Sequence, residues 1–246
     1  MRTLRADLHV HTALSPCGGD EMSPPAIVDA ALAAGLDMIA VCDHNAAGNA
    51  RAVGEAAGAR LAVIAGMEVT TAEEVHVVGL FPTVAAAVNA ADEVRYLLPP
   101  VDDDYTRFFG EQYLMSADGT LCGEERHALA LATPLALDAV VELVKRYGGL
   151  AVAAHVDRPT FGVVSQLGFF PFDAGFDAVE LSRHAPPGSP AALTGAGYGL
   201  PVVRSSDSHY LADVGCVATG LVVEAPTFAE LALAVRRREG RSLTDA

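Results

Sequence analysis

The strongest constraint on the fold is the alternation of short apolar runs with longer alanine-rich stretches. The runs are rich in Val, Ile, Leu and Ala and have the length of strands, whereas the stretches between them have the length of helices. This alternation predicts an α/β fold with helices packed around a parallel sheet. Strands are predicted over Arg5–Val10, Asp37–Cys42, Leu61–Gly66, Val75–Leu80, Leu150–Ala154, Ala178–Leu181 and Val202–Ser205. Helices are predicted over Pro24–Ala34, Gly48–Ala57, Val84–Leu97, Pro134–Tyr147 and Phe228–Arg238, two of them starting at the capping pairs Ser23-Pro24 and Thr133-Pro134.

One stretch breaks this alternation. A chain of 246 residues is ordinary for one α/β barrel, so a single domain over residues 1–246 is predicted. Residues Pro99–Ala132 contain an Asp102-Asp103-Asp104 run and several glycines, and are interpreted as an insertion. The insertion is interpreted as either a lid over the site or a peripheral hairpin available for contact with a second copy of the chain. Both interpretations, and with them a homo-oligomer, stay open.

Composition and charge narrow the class of protein. The apolar runs are too short to span a bilayer, and the N-terminus lacks the apolar stretch of an export signal. Four scattered cysteines without a CxxC pair are typical of reduced thiols, so a cytoplasmic protein is predicted. The formal net charge of −15 would repel nucleic-acid phosphates, so no nucleic acid duplex is expected as a partner.

The histidines follow the predicted strands. Seven of the eight lie in or just after a strand, namely His9, His11, His44, His76, His155, His184 and His209. In a parallel barrel the C-terminal ends of the strands converge on the face where such enzymes place their chemistry. Histidines that are distant in sequence are therefore expected to meet.

The first strand carries two of these histidines in Asp7-Leu8-His9-Val10-His11-Thr12. Side chains two residues apart on a strand point the same way, so Asp7, His9 and His11 are expected to share one face. The histidine pair would chelate a metal, and Asp7 would accept a ring N–H from one of them. Acids and imidazoles recur at later strand ends, in Asp43-His44, Glu68, His76, His155 and Asp207-Ser208-His209. Together they predict a multinuclear site for Zn²⁺, Mn²⁺ or Fe²⁺.

In their order along the chain these motifs resemble those of the PHP (polymerase and histidinol phosphatase) family. The matching segments are Asp7-Leu8-His9-Val10-His11-Thr12, Asp43-His44, Gly66-Met67-Glu68, His155 and Ser206-Asp207-Ser208-His209. The resemblance implies a distorted, TIM-like (β/α)₇ barrel, two or three divalent metal ions and phosphoesterase activity.

The resemblance also implies which residues hold each metal. The ligands of the first metal would be His9, His11, Glu68 and Asp207. The ligands of the second would be Glu68, His76 and His155, and those of the third His44 and His209. A further ligand of the third metal would come from the loop after the first strand, where Asp20 is favoured and Cys17 is the alternative.

Metal ions so arranged would present a bridging hydroxide to phosphorus, so that no side-chain nucleophile is needed. In agreement, the chain lacks a GxSxG elbow and a P-loop lysine motif. Arg158 and Arg183 each lie three residues after His155 or Glu180 and are candidates for binding the substrate phosphate. His184 is a candidate for protonating the leaving oxygen. For all three, an exposed loop position without a catalytic role is the alternative.

These inferences lead to three hypotheses about function. The first is a metal-dependent hydrolase of a small phosphate ester, such as a phosphorylated metabolite or a nucleotide. The others are an amidohydrolase or lactonase on a related metal barrel, and a non-catalytic PHP module. Alanine variants of Arg158 and Arg183 would distinguish the first from the second, since only a phosphate ester needs these cations.

Overall fold

The computed structural model describes residues 1–186 and 199–245. Within them the strands are β1 (Arg2–Val10), β2 (Met38–Val41), β3 (Ala62–Thr70), β4 (His76–Phe81), β5 (Tyr113–Met115), β6 (Leu121–Glu124), β7 (Leu150–Ala153), β8 (Ala178–Leu181), β9 (Val202–Arg204), β10 (Thr219–Val223) and β11 (Ser242–Asp245). The α-helices are α1 (Pro24–Ala33), α2 (Ala50–Ala57), α3 (Val84–Arg95), α4 (Asp103–Phe109), α5 (Leu137–Arg146), α6 (Val163–Leu167) and α7 (Phe228–Val235).

The main sheet is a nearly closed barrel, which confirms the predicted fold class. Its strand order is β11-β10-β1-β2-β3-β4-β7-β8-β9, and it contains all seven predicted strands. The first half of β1 pairs with β10, whereas Val10 bridges to Ser208, just after β9. This bridge connects the β9 end of the sheet to the end of β1 and so nearly closes the barrel.

The sheet is mixed, so the prediction of a parallel sheet was wrong. β4 runs antiparallel to β3 and β7, and β10 and β11 add antiparallel strands at the edge of β1. Residues 71–75 link β3 to β4, and so short a link permits a hairpin but not a parallel crossover. Because β4 is reversed, its first residue, His76, lies opposite Thr70 at the C-terminal end of β3. The reversal therefore places His76 at the same end of the barrel as the last residues of β1 and β2.

Apolar side chains pack on both faces of the barrel wall. In β2, Ile39 and Val41 join the cluster that packs against the helices, whereas Met38 and Ala40 belong to a second cluster together with α7. α1 starts at Pro24 as predicted, but the predicted start of α5 at Pro134 was wrong. The hydroxyl of Thr133 donates to the carbonyl of Thr70 instead of capping a helix. In the described part of the chain, no helix has the length and hydropathy needed to span a bilayer.

The insertion Pro99–Ala132 contains α4 and the β5–β6 hairpin. It bonds to the loops that follow β1 and β2: Tyr113 N donates to Ala13 O at 2.8 Å, and Met115 N donates to Asn49 Oδ1 at 2.9 Å. Asn45, next to His44, donates to the carbonyls of Leu129 and Leu131. The insertion is thus a hairpin that supports two loops of the site.

Candidate metal centre

Imidazoles and carboxylates converge where β1, β2 and β3 end. Among the described residues, donor atoms lie within 4.8 Å of one another in three groups: His9, His11, Glu68 and Asp207; His44, Glu68 and His76; and His11, His44 and His209. His155 joins the second group, with Nε2 3.1 Å from Glu68 Oε1. The structure therefore brings together the residues predicted as ligands, with the exception of Asp20.

The hydrogen bonds around His9 and His11 engage both Nδ1 atoms and orient the two Nε2 atoms toward each other. His9 Nδ1 lies 3.1 Å from both carboxylate oxygens of Glu180 and so carries its proton there. Ser15 donates its hydroxyl proton to Asp43, so its oxygen accepts from His11 Nδ1 at 2.9 Å. When His9 is neutral, each ring has an unprotonated Nε2, and these two atoms are only 3.1 Å apart. A cation between them would satisfy both.

Glu68 is the common member of the first two groups. It is buried on β3, and its oxygens lie 2.8–3.6 Å from nitrogens of His9, His11, His44, His76 and His155. Burial raises the pKa of this carboxyl, but the surrounding imidazoles outweigh burial and leave the pKa well below its usual value. The carboxylate is therefore anionic at neutral pH and can bridge two cations.

Two buried side-chain atoms that lack a hydrogen-bond partner indicate that the site fits metal ions. Asp207 Oδ1 and His155 Nδ1 are buried without a hydrogen-bond partner. Asp207 Oδ1 instead points to His11 Nε2 at 3.3 Å and His9 Nε2 at 3.6 Å. Burying a carboxylate oxygen in this way is costly unless a proton or cation compensates. A cluster of imidazole and carboxylate donors suits Zn²⁺, Mn²⁺ or Fe²⁺.

Protons and cations compete for this cluster. Burial lowers the pKa of His9, but the charges of Glu180, Glu68 and Asp207 outweigh it and hold the pKa well above its ordinary value. Burial and the imidazoles of His209 and His44 hold the pKa of His11 well below its ordinary value. His11 is thus neutral and ready to ligate, whereas a cation must displace a proton from His9.

Several residues of the site have left-handed backbone, which is unfavourable for residues other than glycine. Their φ angles are 27° at His155, 50° at Asp207, 50° at Asn45 and 60° at Phe161. Such conformations cost roughly 1–3 kcal/mol each and persist where the surroundings enforce them. Their concentration around the candidate ligands supports a functional role for this end of the barrel.

The prediction that Asp7 supports an imidazole was wrong. The register of β1 on β2 shifts between Asp7 and Val10, so the regular alternation of faces is interrupted. Asp7 accepts hydrogen bonds from the backbone and hydroxyl of Ser206 and from Gly215 N. It therefore anchors the loop that presents Asp207 and His209.

Glu180 is the partner that orients His9, and it also accepts from the backbone N–H of His155 at 3.2 Å. A Glu180→Gln variant keeps the volume but loses the charge and one acceptor. We expect metal affinity to fall roughly 10- to 100-fold, as for loss of other groups that orient a metal ligand. Competition titration with a chromogenic chelator measures this, with Asp177→Asn, at the residue just before β8, as control. Equal affinity of the wild type and Glu180→Gln would contradict the assigned role.

Acid should destabilise the metal-free protein through His76. Burial, together with His44 and His155, lowers the pKa of this imidazole to about 4 from 6.5, although Glu68 opposes the shift. Between these pH values the unfolded chain binds a proton here that the folded chain does not, so the free energy of unfolding falls as the pH falls. Denaturant titrations in chelator should show the wild type losing up to about 3 kcal/mol more than His76→Gln across this window. The same pH dependence in both proteins would refute the assignment.

The third donor group consists of His11, His44 and His209, and the structure does not support the further ligand favoured for it, Asp20. Asp20 is exposed and belongs to none of the three groups of described residues. Cys17 is an exposed residue that lines the same pocket as His209. Partial burial of the sulfur raises its pKa, but interaction with the imidazoles of His209 and His44 outweighs burial and lowers the pKa to about 6. Cys17 is therefore better placed than Asp20 to act as the further ligand.

A pocket of about 210 Å³ opens beside the candidate metal ligands Asp207 and His209. Arg158, Arg183 and His184, the three residues predicted to contact substrate, all line it. Arg158 pairs with Asp207 at 2.6 Å, and Arg183 pairs with Asp213 at 2.6 Å. No residue of the insertion is in this lining, so the lid interpretation has no support among the described residues.

Sequence reasoning missed two supporting residues, Ser15 and Phe161. Ser15 links His11, Asp43 and the backbone N–H of His44 through its hydroxyl. Phe161 stacks on His76 with ring centroids 4.5 Å apart, and its carbonyl accepts from His76 N. Ser15 lies close to the first motif in sequence and could have been suspected, but nothing in the sequence marks Phe161.

Solved structures show the same fold. A lesion-specific endonuclease from Pyrococcus furiosus aligns with a TM-score of 0.72 and 18% identity, over 98% of this chain and 58% of the endonuclease. Endonuclease Q in complex with a 27-mer duplex aligns with a TM-score of 0.71 and 18% identity, over 98% of this chain and 58% of that chain. This chain thus spans less than two thirds of these relatives. A Bifidobacterium adolescentis protein, whose role as a metal-dependent phosphoesterase is itself inferred, aligns with a TM-score of 0.58 and 21% identity, over 83% of this chain and 87% of that protein.

The exclusion of nucleic acid as a partner was wrong. In the endonuclease Q complex the abasic lesion of the duplex lies at the active site of a protein with this fold. Net charge is summed over the whole surface, whereas a phosphate meets the local field of cations and arginines at the site. A charge of −15 therefore does not decide the matter.

Two family models match this chain, each over a different segment. The PHP domain matches residues 7–164, and the PHP-associated region matches residues 196–239. No curated protein sequence matches the chain. Since the first match covers more than half of the chain and includes most of the candidate ligands, the chain belongs to the PHP domain family.

Proposed function

We propose that this protein is a metal-dependent hydrolase of phosphate esters, and that its substrate is a small one. The observation that carries the proposal is the pocket in which Arg158, Arg183 and His184 stand beside Asp207 and His209. Guanidinium groups suit the oxygens of a phosphoryl group, and the adjoining ligands would hold the ions that act on its phosphorus. A pocket of about 210 Å³ accommodates a phosphoryl group with part of a small leaving group.

The ligands would be His9, His11, His44, Glu68, His76, His155, Asp207 and His209, which hold two or three Zn²⁺, Mn²⁺ or Fe²⁺ ions. When bound, such ions supply Lewis acidity toward a phosphoryl oxygen and lower the pKa of water. The protein's own residues bind and orient the substrate. Arg158 and Arg183 grip the phosphoryl oxygens, and His184 donates a proton to the leaving oxygen.

The test is hydrolysis by the purified protein, stripped with chelator and then supplied with Zn²⁺, Mn²⁺ or Fe²⁺. The substrates are a chromogenic phosphomonoester, a set of nucleotides, and an amide and a lactone. Phosphate release that requires metal, without cleavage of the amide or lactone, is the expected result. Cleavage of only the amide or lactone would reject the phosphoesterase in favour of the alternative hydrolase.

A second candidate function is cleavage of damaged DNA, and the observation that favours it is the fold shared with the two endonuclease structures. The same assay with a labelled duplex carrying an abasic site distinguishes the two. Strand cleavage at the lesion, faster than release of phosphate from monoesters, would favour the nuclease. The small pocket predicts the opposite ranking.

A further inference from the structure

We infer that the side chain of Cys17 binds, as a thiolate, the metal ion held by His44 and His209, and that this sulfur donor makes the third site selective for zinc. The inference rests on the metal centre of the proposed function. It goes beyond it by assigning a ligand and a metal preference to one of the sites.

The third donor group contains no negatively charged side chain. The other two groups each include a carboxylate, from Glu68 or Asp207, whereas the group of His11, His44 and His209 consists of imidazoles alone. Neutral imidazoles supply electron pairs to a divalent cation but no negative charge. Cys17 lines the same pocket as His209, and the backbone two residues further on bonds to the carbonyl of His209, so the thiol lies beside this group, where an anionic donor is lacking.

The loop that carries Cys17 is held in place by the site itself. Ser15-Pro16-Cys17-Gly18 forms a turn closed by a 2.9 Å hydrogen bond from Gly18 N to Ser15 O, with proline in the position that turns favour. Gly19 N donates to the carbonyl of His209 at 2.8 Å. The hydroxyl of Ser15, at the start of the turn, bonds to His11 and Asp43. The turn is therefore tied at both ends to the residues of the metal centre.

Gly18 allows this turn to pack closely. A Cβ atom at this position would lie 3.1 Å from the carbonyl oxygens of both Ser15 and Thr12. On the other side, a Cβ atom at Gly110 of the insertion would lie 2.9 Å from Pro16 O. Backbone therefore packs against the turn from two directions, which fixes the position of Cys17.

The chemistry of sulfur gives the selectivity. Thiolate is a soft ligand that suits Zn²⁺, whereas Mn²⁺ prefers oxygen donors. Cys17 also lines the pocket beside Asp207 and His209, so a metal held there would border the substrate. The first two groups, built from imidazole and carboxylate, lack this preference for zinc.

The experiment compares the full chain with Cys17→Ser, Asp20→Asn in the same loop, and Cys122→Ser as an exposed cysteine in the insertion. Each protein is stripped and reconstituted with Zn²⁺ or Co²⁺, and metal content is measured by elemental analysis. The cobalt forms are examined by absorption spectroscopy, because a cysteine ligand produces a sulfur-to-cobalt charge-transfer band in the near ultraviolet. Neither readout depends on the substrate.

We expect the charge-transfer band in the wild type, Asp20→Asn and Cys122→Ser, and its loss in Cys17→Ser, with or without loss of one bound ion. A wild type that binds metal but lacks the band would overturn the role of Cys17 and leave the metal centre standing. Loss of an ion in Asp20→Asn, with Cys17→Ser unchanged in both readouts, would overturn it in favour of Asp20. A wild type that binds no metal would overturn this inference and the proposed function together.

Discussion

Replacing Glu68 with glutamine is expected to abolish metal binding at two of the three donor groups and with it nearly all hydrolysis. Glutamine keeps the size of the side chain but offers one neutral oxygen and an amide N–H₂ in place of two anionic oxygens. Those oxygens lie within 3.6 Å of five imidazoles, so the loss affects every ligand around them. Loss of a residue that only orients a metal ligand typically lowers activity roughly 10- to 100-fold. We expect kcat/KM of Glu68→Gln to fall by more than this.

Thermal unfolding provides a measurement for Glu68→Gln that is independent of substrate. Metal at about 100 times its Kd stabilises a folded protein by about 2.7 kcal/mol, which raises Tm. The wild type should show this rise, as should Glu55→Gln, which removes an exposed carboxylate on α2. Glu68→Gln should show little or none. A full rise in Tm and full metal content in Glu68→Gln would reject the central role of this carboxylate.

Replacing Arg158 with methionine should reduce kcat/KM for a phosphomonoester by about 10²- to 10³-fold, the usual effect of removing one preorganised group that stabilises the transition state. Arg158 lines the pocket and already binds a carboxylate oxygen, Asp207 Oδ2, at 2.6 Å. A phosphoryl oxygen would offer the guanidinium a similar anionic partner. Metal content should be retained, because the other oxygen of Asp207 faces His9 and His11.

The control for Arg158→Met is Arg146→Met, which removes the same charge from an exposed position on α5. A chain with net charge −15 repels anionic substrates at long range, so loss of any cation could slow association slightly. Only the loss of the Arg158 guanidinium, which lines the pocket, should lower kcat/KM by about 10²- to 10³-fold. Equal rates for both variants would show that Arg158 does not bind the phosphate.

The sequence alone was sufficient to predict seven strands of the barrel and the types of side chain, imidazole and carboxylate, that form the donor groups. Strand and helix periodicity is local, so all seven predicted strands are present and the predicted histidines lie at their ends. β10 was missed because no α-helix separates it from β9, and β11 was missed because its four residues, Ser242–Asp245, are mostly polar. The start of α5 was misplaced because Thr133, a good capping residue, is bonded to Thr70 of a neighbouring strand.

The amino-acid sequence by itself therefore determined the barrel, the family and the chemical nature of the site: imidazoles and carboxylates at strand ends. Only the tertiary structure decided which of these groups meet. Reversal of β4 places His76 beside Glu68, and the register shift in β1 turns Asp7 away from the histidines toward Ser206. Strand direction and register depend on hydrogen bonds between segments distant in sequence, and local patterns carry no information about those bonds.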